Sequence, residues 1–147
     1  MDISVNRKSG ILLHPTTLPG PYGIGEIGHH AYRFADHLSD MNQELWQILP
    51  IGPTDFYNSP YSSISTFAGN HLLISLDLLV EDGLLYSKDL KGYKEGKPHK
   101  ILFDDVICFK MPILKQVSRN FFQTAPVEMK ISFEQFCIKH SYWLDDY

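Results

Sequence analysis

Two loop-like stretches contain the side chains best suited to chemistry in this chain. Residues 14–28 (HPTTLPGPYGIGEIG, the first loop) and 50–70 (PIGPTDFYNSPYSSISTFAGN, the second loop) each follow a short apolar run. Connections between elements usually take two to six residues. Longer loops, stiffened by proline and rich in aromatic and hydroxyl groups, indicate a binding surface built on a scaffold. We therefore look for function in these two loops.

The second loop combines flat aromatic surface with short hydroxyl and amide groups. A sugar ring presents the complement, apolar C–H faces edged by hydroxyls. Aromatic area would supply the affinity and a few placed polar groups the orientation. The side chains concerned are Asp55, Phe56, Tyr57, Asn58, Ser59, Tyr61, Ser62 and Ser63. Composition alone still favours an ordinary turn over a sugar site.

Carboxylates for glycosyl transfer are not obvious in the sequence. Glu26 and Asp55 lie in the two loops, but sequence does not show whether they approach the roughly 5 to 5.5 Å separation of a retaining pair. Asp145 and Asp146 are neighbours on a predicted helix and face different ways, which is typical of a solvated edge. No catalytic pair is assigned.

His14 stands at the carboxyl end of the first apolar run, the place where ligands bind in parallel α/β folds. An equal alternative is a histidine hydrogen-bonded to loop backbone before Pro15. The other histidines lack the i, i+4 spacing of a helical zinc site, so no metal is predicted.

Gly23, Gly25 and Gly28 match the dinucleotide motif G-x-G-x-x-G, with Glu44 at a plausible distance for a ribose-binding acid. In a dinucleotide fold, however, the first glycine belongs to the tight turn that ends the strand. Here residues 14–22, with three prolines among them, intervene. A nucleotide-binding domain is therefore a weak alternative.

The elements that would hold these loops predict an α/β fold. Residues 10–13 are a continuous apolar run, and 45–49 (LWQIL), ended by Pro50, are a second strand; both are expected to be buried on both faces. Residues 31–41 between them have helical spacing. Strand, helix and strand in this order form a βαβ unit with parallel strands.

The second half of the chain is predicted to be mainly helical. We expect a strand at 72–75, a short helix at 76–80 stopped near Gly83, and a Lys- and Gly-rich surface stretch at 87–99. A helix at 104–122 should kink at Pro112, and a capping box of Ser132 and Gln135 should begin the last helix. That last helical pattern is unfinished at Tyr147, which suggests a cut chain.

Composition narrows the class of protein. With 13 basic and 17 acidic groups and no basic run, the chain offers no footprint for nucleic acid or an anionic membrane. No apolar stretch approaches the roughly 20 residues of a membrane span, and the N-terminus lacks signal-peptide character, so a cytoplasmic location is expected. Cys108 and Cys137 lie among apolar helical residues and are predicted to be reduced and buried.

The loops and their flanking runs resemble one family closely. The matching segments are SGILLHPT (9–16), LPGPYGIG (18–25), LWQILPIGPT (45–54), NSPY (58–61) and FAGN (67–70), with weaker similarity at MPIL (111–114) and YWLDDY (142–147). In this order they resemble the 4-α-glucanotransferases known as amylomaltases or disproportionating enzymes.

The resemblance implies the N-terminal part of a (β/α)₈ barrel of the α-amylase-like clan, incomplete here. Residues 1–75 would supply the first barrel units, and 76–147 a truncated helical insertion. The whole enzyme would transfer α-1,4-glucan segments between maltooligosaccharides by a retaining mechanism, without metal or cofactor. Its catalytic carboxylates would come from later strands, so this portion alone should be inactive. A non-catalytic carbohydrate-binding or degenerate product is the alternative.

The resemblance also implies roles for single residues. Tyr61 would stack on a glucose ring and Ser59 would contact a hydroxyl. Phe56 replaces a tyrosine often found there, keeping an aromatic face and losing a hydroxyl. His14 and Asn70 complete the expected substrate-binding set, with shaping roles.

Overall fold

The computed structural model describes residues 7–93 and 100–147, so the end of the predicted surface stretch, including His99, lies outside the described residues. Strand β1 (Gly10–Leu12) is followed by helix α1 (His29–Asp40) and strand β2 (Leu45–Gln47). β1 and β2 pair in parallel, with Ile11 opposite Trp46. The predicted βαβ arrangement is confirmed.

The predicted burial of the two strands is wrong. Leu12 keeps 58% of its surface exposed, and Ile11 and Leu45 are exposed as well. Among the described residues β1 and β2 pair only with each other. A parallel strand becomes buried through neighbouring strands and covering helices, and these two have too few of either.

The predicted strand at 72–75 is also wrong. His71–Leu73 form a 3₁₀ turn, because the Asn70 side chain accepts a hydrogen bond from the Leu72 amide at 2.9 Å. Such local side-chain bonds compete with strand pairing. Ile74 makes a single parallel bridge to Ile27.

Helix α2 (Leu76–Glu81) begins at Ser75, whose hydroxyl accepts from the Leu78 amide. It ends before Gly83, which has φ +72°, a conformation that glycine adopts without a Cβ clash. The predicted short helix and its stop are confirmed. A 3₁₀ helix follows at Ser87–Leu90.

Two long helices follow. α3 (Phe103–Thr124) confirms the predicted helix and continues through Pro112. α4 (Val127–Leu144) begins earlier than predicted, with Pro126 as its N-cap. The capping box is therefore wrong, and the Ser132 hydroxyl instead donates to the Glu128 carbonyl at 2.9 Å within the helix.

The core joins the first loop to α2 and α3. One buried cluster contains Tyr22, Leu76, Leu85, Ile113 and Val117, and a second contains Ile24, Leu72 and Val106. Residues of the first loop thus form part of the hydrophobic core, which fixes the loop against the helices.

The prediction of buried cysteines is wrong. Both cysteines are free thiols, but Cys108 is exposed and Cys137 is half-buried. Cys108 lies two residues after the buried Val106, and residues at that spacing do not share a helix face.

Within residues 7–93 and 100–147, no helix has the length and apolar character needed to cross a membrane.

Candidate functional site

His14 connects the first loop to the start of the second. Its Nδ1 lies 2.8 Å from the Thr16 hydroxyl oxygen, and its Nε2 lies 3.3 Å from the carbonyl oxygen of Pro50. The ring also caps the 3₁₀ turn Pro15–Thr17 by accepting from the Thr16 amide. His14 therefore links the first loop to the start of the second by hydrogen bonds.

The glycines of the first loop serve close packing. A Cβ on Gly25 would overlap the carbonyl oxygen of Pro15, and one on Gly23, with φ +76°, would meet the Tyr93 hydroxyl. The Gly25 amide donates to the Thr16 carbonyl at 2.9 Å. Glu44, the candidate ribose acid, pairs instead with Lys8 at 3.3 Å. The G-x-G-x-x-G match is thus a coincidence of spacing.

The tip of the second loop is held by hydrogen bonds. Thr54 and Ser63 form an antiparallel bridge that closes it. Beyond the bridge, the Asp55 amide donates to the Ser62 carbonyl at 3.0 Å, and the Ser62 amide donates to the Ser59 carbonyl at 3.0 Å. The Asp55 carboxylate accepts from the Tyr57 amide at 2.9 Å. The tip is therefore an ordered loop that can present side chains in fixed directions.

Those side chains project into solvent. Phe56, Tyr57 and Tyr61 have relative exposures of 90%, 81% and 76%, and the rings of Phe56 and Tyr57 meet edge to face at 5.5 Å. The Ser59 oxygen accepts from the Tyr61 amide at 3.4 Å, which leaves its proton free to donate to a ligand. Aromatic surface and hydroxyl groups thus stand together on one exposed tip.

Asn70 and Trp46 hold the base of the loops. The Asn70 amide donates to the Ile51 carbonyl at 2.7 Å and closes the second loop. Trp46 donates through Nε1 to the Leu13 carbonyl at 2.7 Å, and its ring packs against Phe34. Both residues therefore make contacts that shape the base of the loops.

One buried ion pair was missed by sequence reasoning. Lys110 of α3 is completely buried, and its Nζ lies 2.5 Å from Oε1 of Glu26, which is 5% exposed. Burial raises the pKa of Glu26, opposed by the Lys110 charge, and burial lowers the pKa of Lys110, opposed by Glu26. Lys110 follows Val106 by four residues and precedes Ile113 by three. The position itself, on the core face of a helix, was the available signal.

Both loop carboxylates have structural partners. Glu26 pairs with Lys110, and Asp55 accepts a hydrogen bond from the Tyr57 amide at the loop tip. A cleft of about 200 Å³ lies between the first loop and the starts of α1 and α2, lined in part by Glu26, His29, Arg33 and Asp77. Across the described ranges, no group of three His, Cys, Asp or Glu side chains is arranged to hold a metal ion.

The fold and the loops define a class of protein. Both loops leave the carboxyl ends of parallel strands in an α/β structure, where α/β enzymes of the barrel type bind their ligands. Residues 13–147 match the protein family described as 4-alpha-glucanotransferase. The chain belongs to that family, which confirms the resemblance seen in the sequence.

Individual relatives of the chain are also 4-alpha-glucanotransferases. The chain is 44% identical to a 4-alpha-glucanotransferase of Synechocystis sp. over 141 residues, which cover 96% of this chain and 28% of that protein. It is 40% identical to the Thermus thermophilus 4-alpha-glucanotransferase, of which it covers 27%. The chain thus spans little more than a quarter of the length of these relatives.

A solved structure confirms the fold class. The amylomaltase from Streptococcus agalactiae in complex with acarbose matches with a TM-score of 0.84 and 35% identity, over 93% of this chain and 27% of that one. The described residues therefore have the fold of one part of an amylomaltase.

Proposed function

We propose that this chain forms one side of an α-glucan cleft in a 4-α-glucanotransferase. The whole enzyme would transfer α-1,4-glucan segments between maltooligosaccharides by a retaining double displacement. The observation that carries the proposal is the ordered second loop. It presents Phe56 and Tyr61 to solvent after β2, in a chain that belongs to the 4-alpha-glucanotransferase family.

Within this proposal, Tyr61 stacks on a glucose ring and Ser59 donates a hydrogen bond to a sugar hydroxyl. Phe56 offers a second aromatic face without a hydroxyl. His14 and Asn70 shape the bases of the two loops through the hydrogen bonds described above. Two observations support these roles: the aromatic rings at the tip of the second loop are exposed, and backbone hydrogen bonds hold the base of that loop.

The proposal also divides the chain. Residues 1–75 would supply the first barrel units and 76–147 an inserted helical subdomain, since β1 and β2 precede residue 76 and the long helices α3 and α4 follow it. A cytoplasmic location belongs to the same proposal, and the free thiols of Cys108 and Cys137 are typical of a reducing compartment.

A segment exchange tests the function. Residues 13–147 would replace the matched segment of the Synechocystis 4-alpha-glucanotransferase, and the chimera would be assayed with maltotriose. We expect glucose release together with longer maltooligosaccharides. A folded chimera without transfer activity would show that this segment does not build a working glucan cleft.

A further inference from the structure

Lys110 connects the ends of both loops from a third element. Its ammonium group donates to Glu26 at the end of the first loop, and to the carbonyl oxygens of Leu72 at 2.7 Å and Ile74 at 2.8 Å, just after the second loop. An ammonium group has three protons, so all of its donors are used. Because Lys110 is fully buried, none of these bonds competes with water.

The segment that Lys110 holds is continuous with the base of the second loop. Leu72 donates to the Asn70 side chain, and the Asn70 amide donates to Ile51 at the loop's other end. On the other side, the Ile27 amide donates to the Leu73 carbonyl at 2.8 Å. One side chain of α3 thus fixes the carboxyl-terminal ends of the two loops relative to each other.

Hydrophobic packing alone would not fix this arrangement. Burying an ion pair brings little net stability, and apolar residues of similar volume often replace such a pair without loss. A methionine could fill the volume of Lys110, but it could not bond Glu26, Leu72 and Ile74 at once. The three directed bonds set the geometry of the loops, because hydrogen bonds constrain distance and angle where apolar contacts do not.

We propose that Lys110, paired with Glu26, is a positioning residue for glucan binding: it holds the two loops in the relative placement that forms the sugar-binding surface. This inference rests on the proposed function for its kinetic consequence. Lys110 itself does not touch substrate, since its side chain is enclosed by protein.

The kinetic test uses the chimera and the variant Lys110→Met. Misplaced loops should raise KM for maltotriose by about tenfold, with kcat per folded molecule unchanged. Leu38→Ala is the matched control, because Leu38 is buried on α1 and lies outside both core clusters. We expect it to lower Tm and leave KM unchanged. Equal KM values for the two variants would overturn the proposal.

A second measurement does not depend on activity. Hydrogen exchange of the Ile27 and Asn70 amides should be about tenfold faster in Lys110→Met than in Leu38→Ala. The Ile27 amide donates to Leu73, inside the segment that Lys110 holds, and Asn70 directly precedes that segment, so both hydrogen bonds loosen when it is released. The Leu84 amide, bonded to Leu79 in α2, is the internal reference and should not differ. If Lys110→Met does not fold, Glu26→Gln replaces it, with the same two measurements and smaller expected shifts. Unchanged exchange at Ile27 and Asn70 would refute the positioning role. This result can be read even if the chimera has no transfer activity, so it is independent of the proposed function.

Discussion

Tyr61 is the residue on which the proposed glucan contact most depends. About three quarters of its side chain is exposed, yet its backbone amide is bonded to Ser59 within a closed loop tip. The ring is therefore presented in advance of binding, so less conformational entropy is lost when a sugar stacks on it. A flexible tip would bind more weakly with the same residues.

Replacing Tyr61 with alanine in the chimera should lower kcat/KM for maltotriose by an amount equal to about 1 to 3 kcal/mol, the scale of one lost aromatic contact. Tyr86→Ala is the control, because Tyr86 is also an exposed tyrosine but follows α2 in the chain and belongs to neither loop. If both variants transfer glucan as well as the parent chimera, Tyr61 makes no sugar contact.

At the residue scale, sequence reasoning found the exposed groups and missed the buried pair. Tyr61 and Ser59 stand in a recognisable segment of the sequence, and the structure leaves Tyr61 exposed and Ser59 half-buried. No local pattern distinguished Lys110 from the other lysines, because its partner Glu26 is remote in sequence. Only the packing of α3 against the first loop makes that lysine a buried cation.

The first loop is an element whose shape depends on a close approach of backbone to backbone. A Cβ on Gly25 would overlap the carbonyl oxygen of Pro15 and also approach Leu18. Backbone atoms cannot move aside as a flexible side-chain end can. The loop would have to open before any larger residue could be placed there.

Gly25→Ala should therefore destabilise the chimera by about 1 to 3 kcal/mol, the cost of overpacking. Gly69→Ala is the matched control in the second loop, where a Cβ would meet nothing within 4 Å. Denaturant unfolding measures both free energies. A Gly25→Ala variant as stable as Gly69→Ala would mean that the first loop adapts without strain.

At the element scale, helices were predicted better than strands. α1 and α3 depend on local periodicity, which the sequence displays directly. The turn at His71–Leu73 has the same apolar letters as a strand, but the Asn70 side chain bonds its backbone locally. The predicted start of α4 was wrong because the helix already begins after Pro126, which places Ser132 inside it.

The whole molecule leaves large apolar surfaces uncovered. Both strands are exposed, and α4 has no buried residue although Ile131, Phe133 and Ile138 lie along it. Large apolar side chains exposed in such numbers are typical of surfaces that pack against other protein. The matched region is little more than a quarter of the solved amylomaltase.

Purified alone, the chain should self-associate with rising concentration and bind the dye ANS, because these apolar faces and the strand edges lack cover. It should also release no glucose from maltotriose, because the proposed mechanism takes its catalytic carboxylates from later strands of the barrel. Sedimentation velocity measures the association and a glucose assay measures the activity. A monodisperse monomer at high concentration would contradict the first expectation, and measurable glucose release would contradict the second.

The sequence by itself determined the family, the α/β order of elements and the positions of the two loops, because local motifs and apolar periodicities specify them. The tertiary structure decided which groups are buried and which are presented. It placed Lys110 between Glu26 and the segment after Asn70, left β1 and β2 exposed, and assigned the glycines of the first loop to packing. The physical reason is that burial and long-range hydrogen bonds depend on neighbours remote in the chain, which no local pattern records.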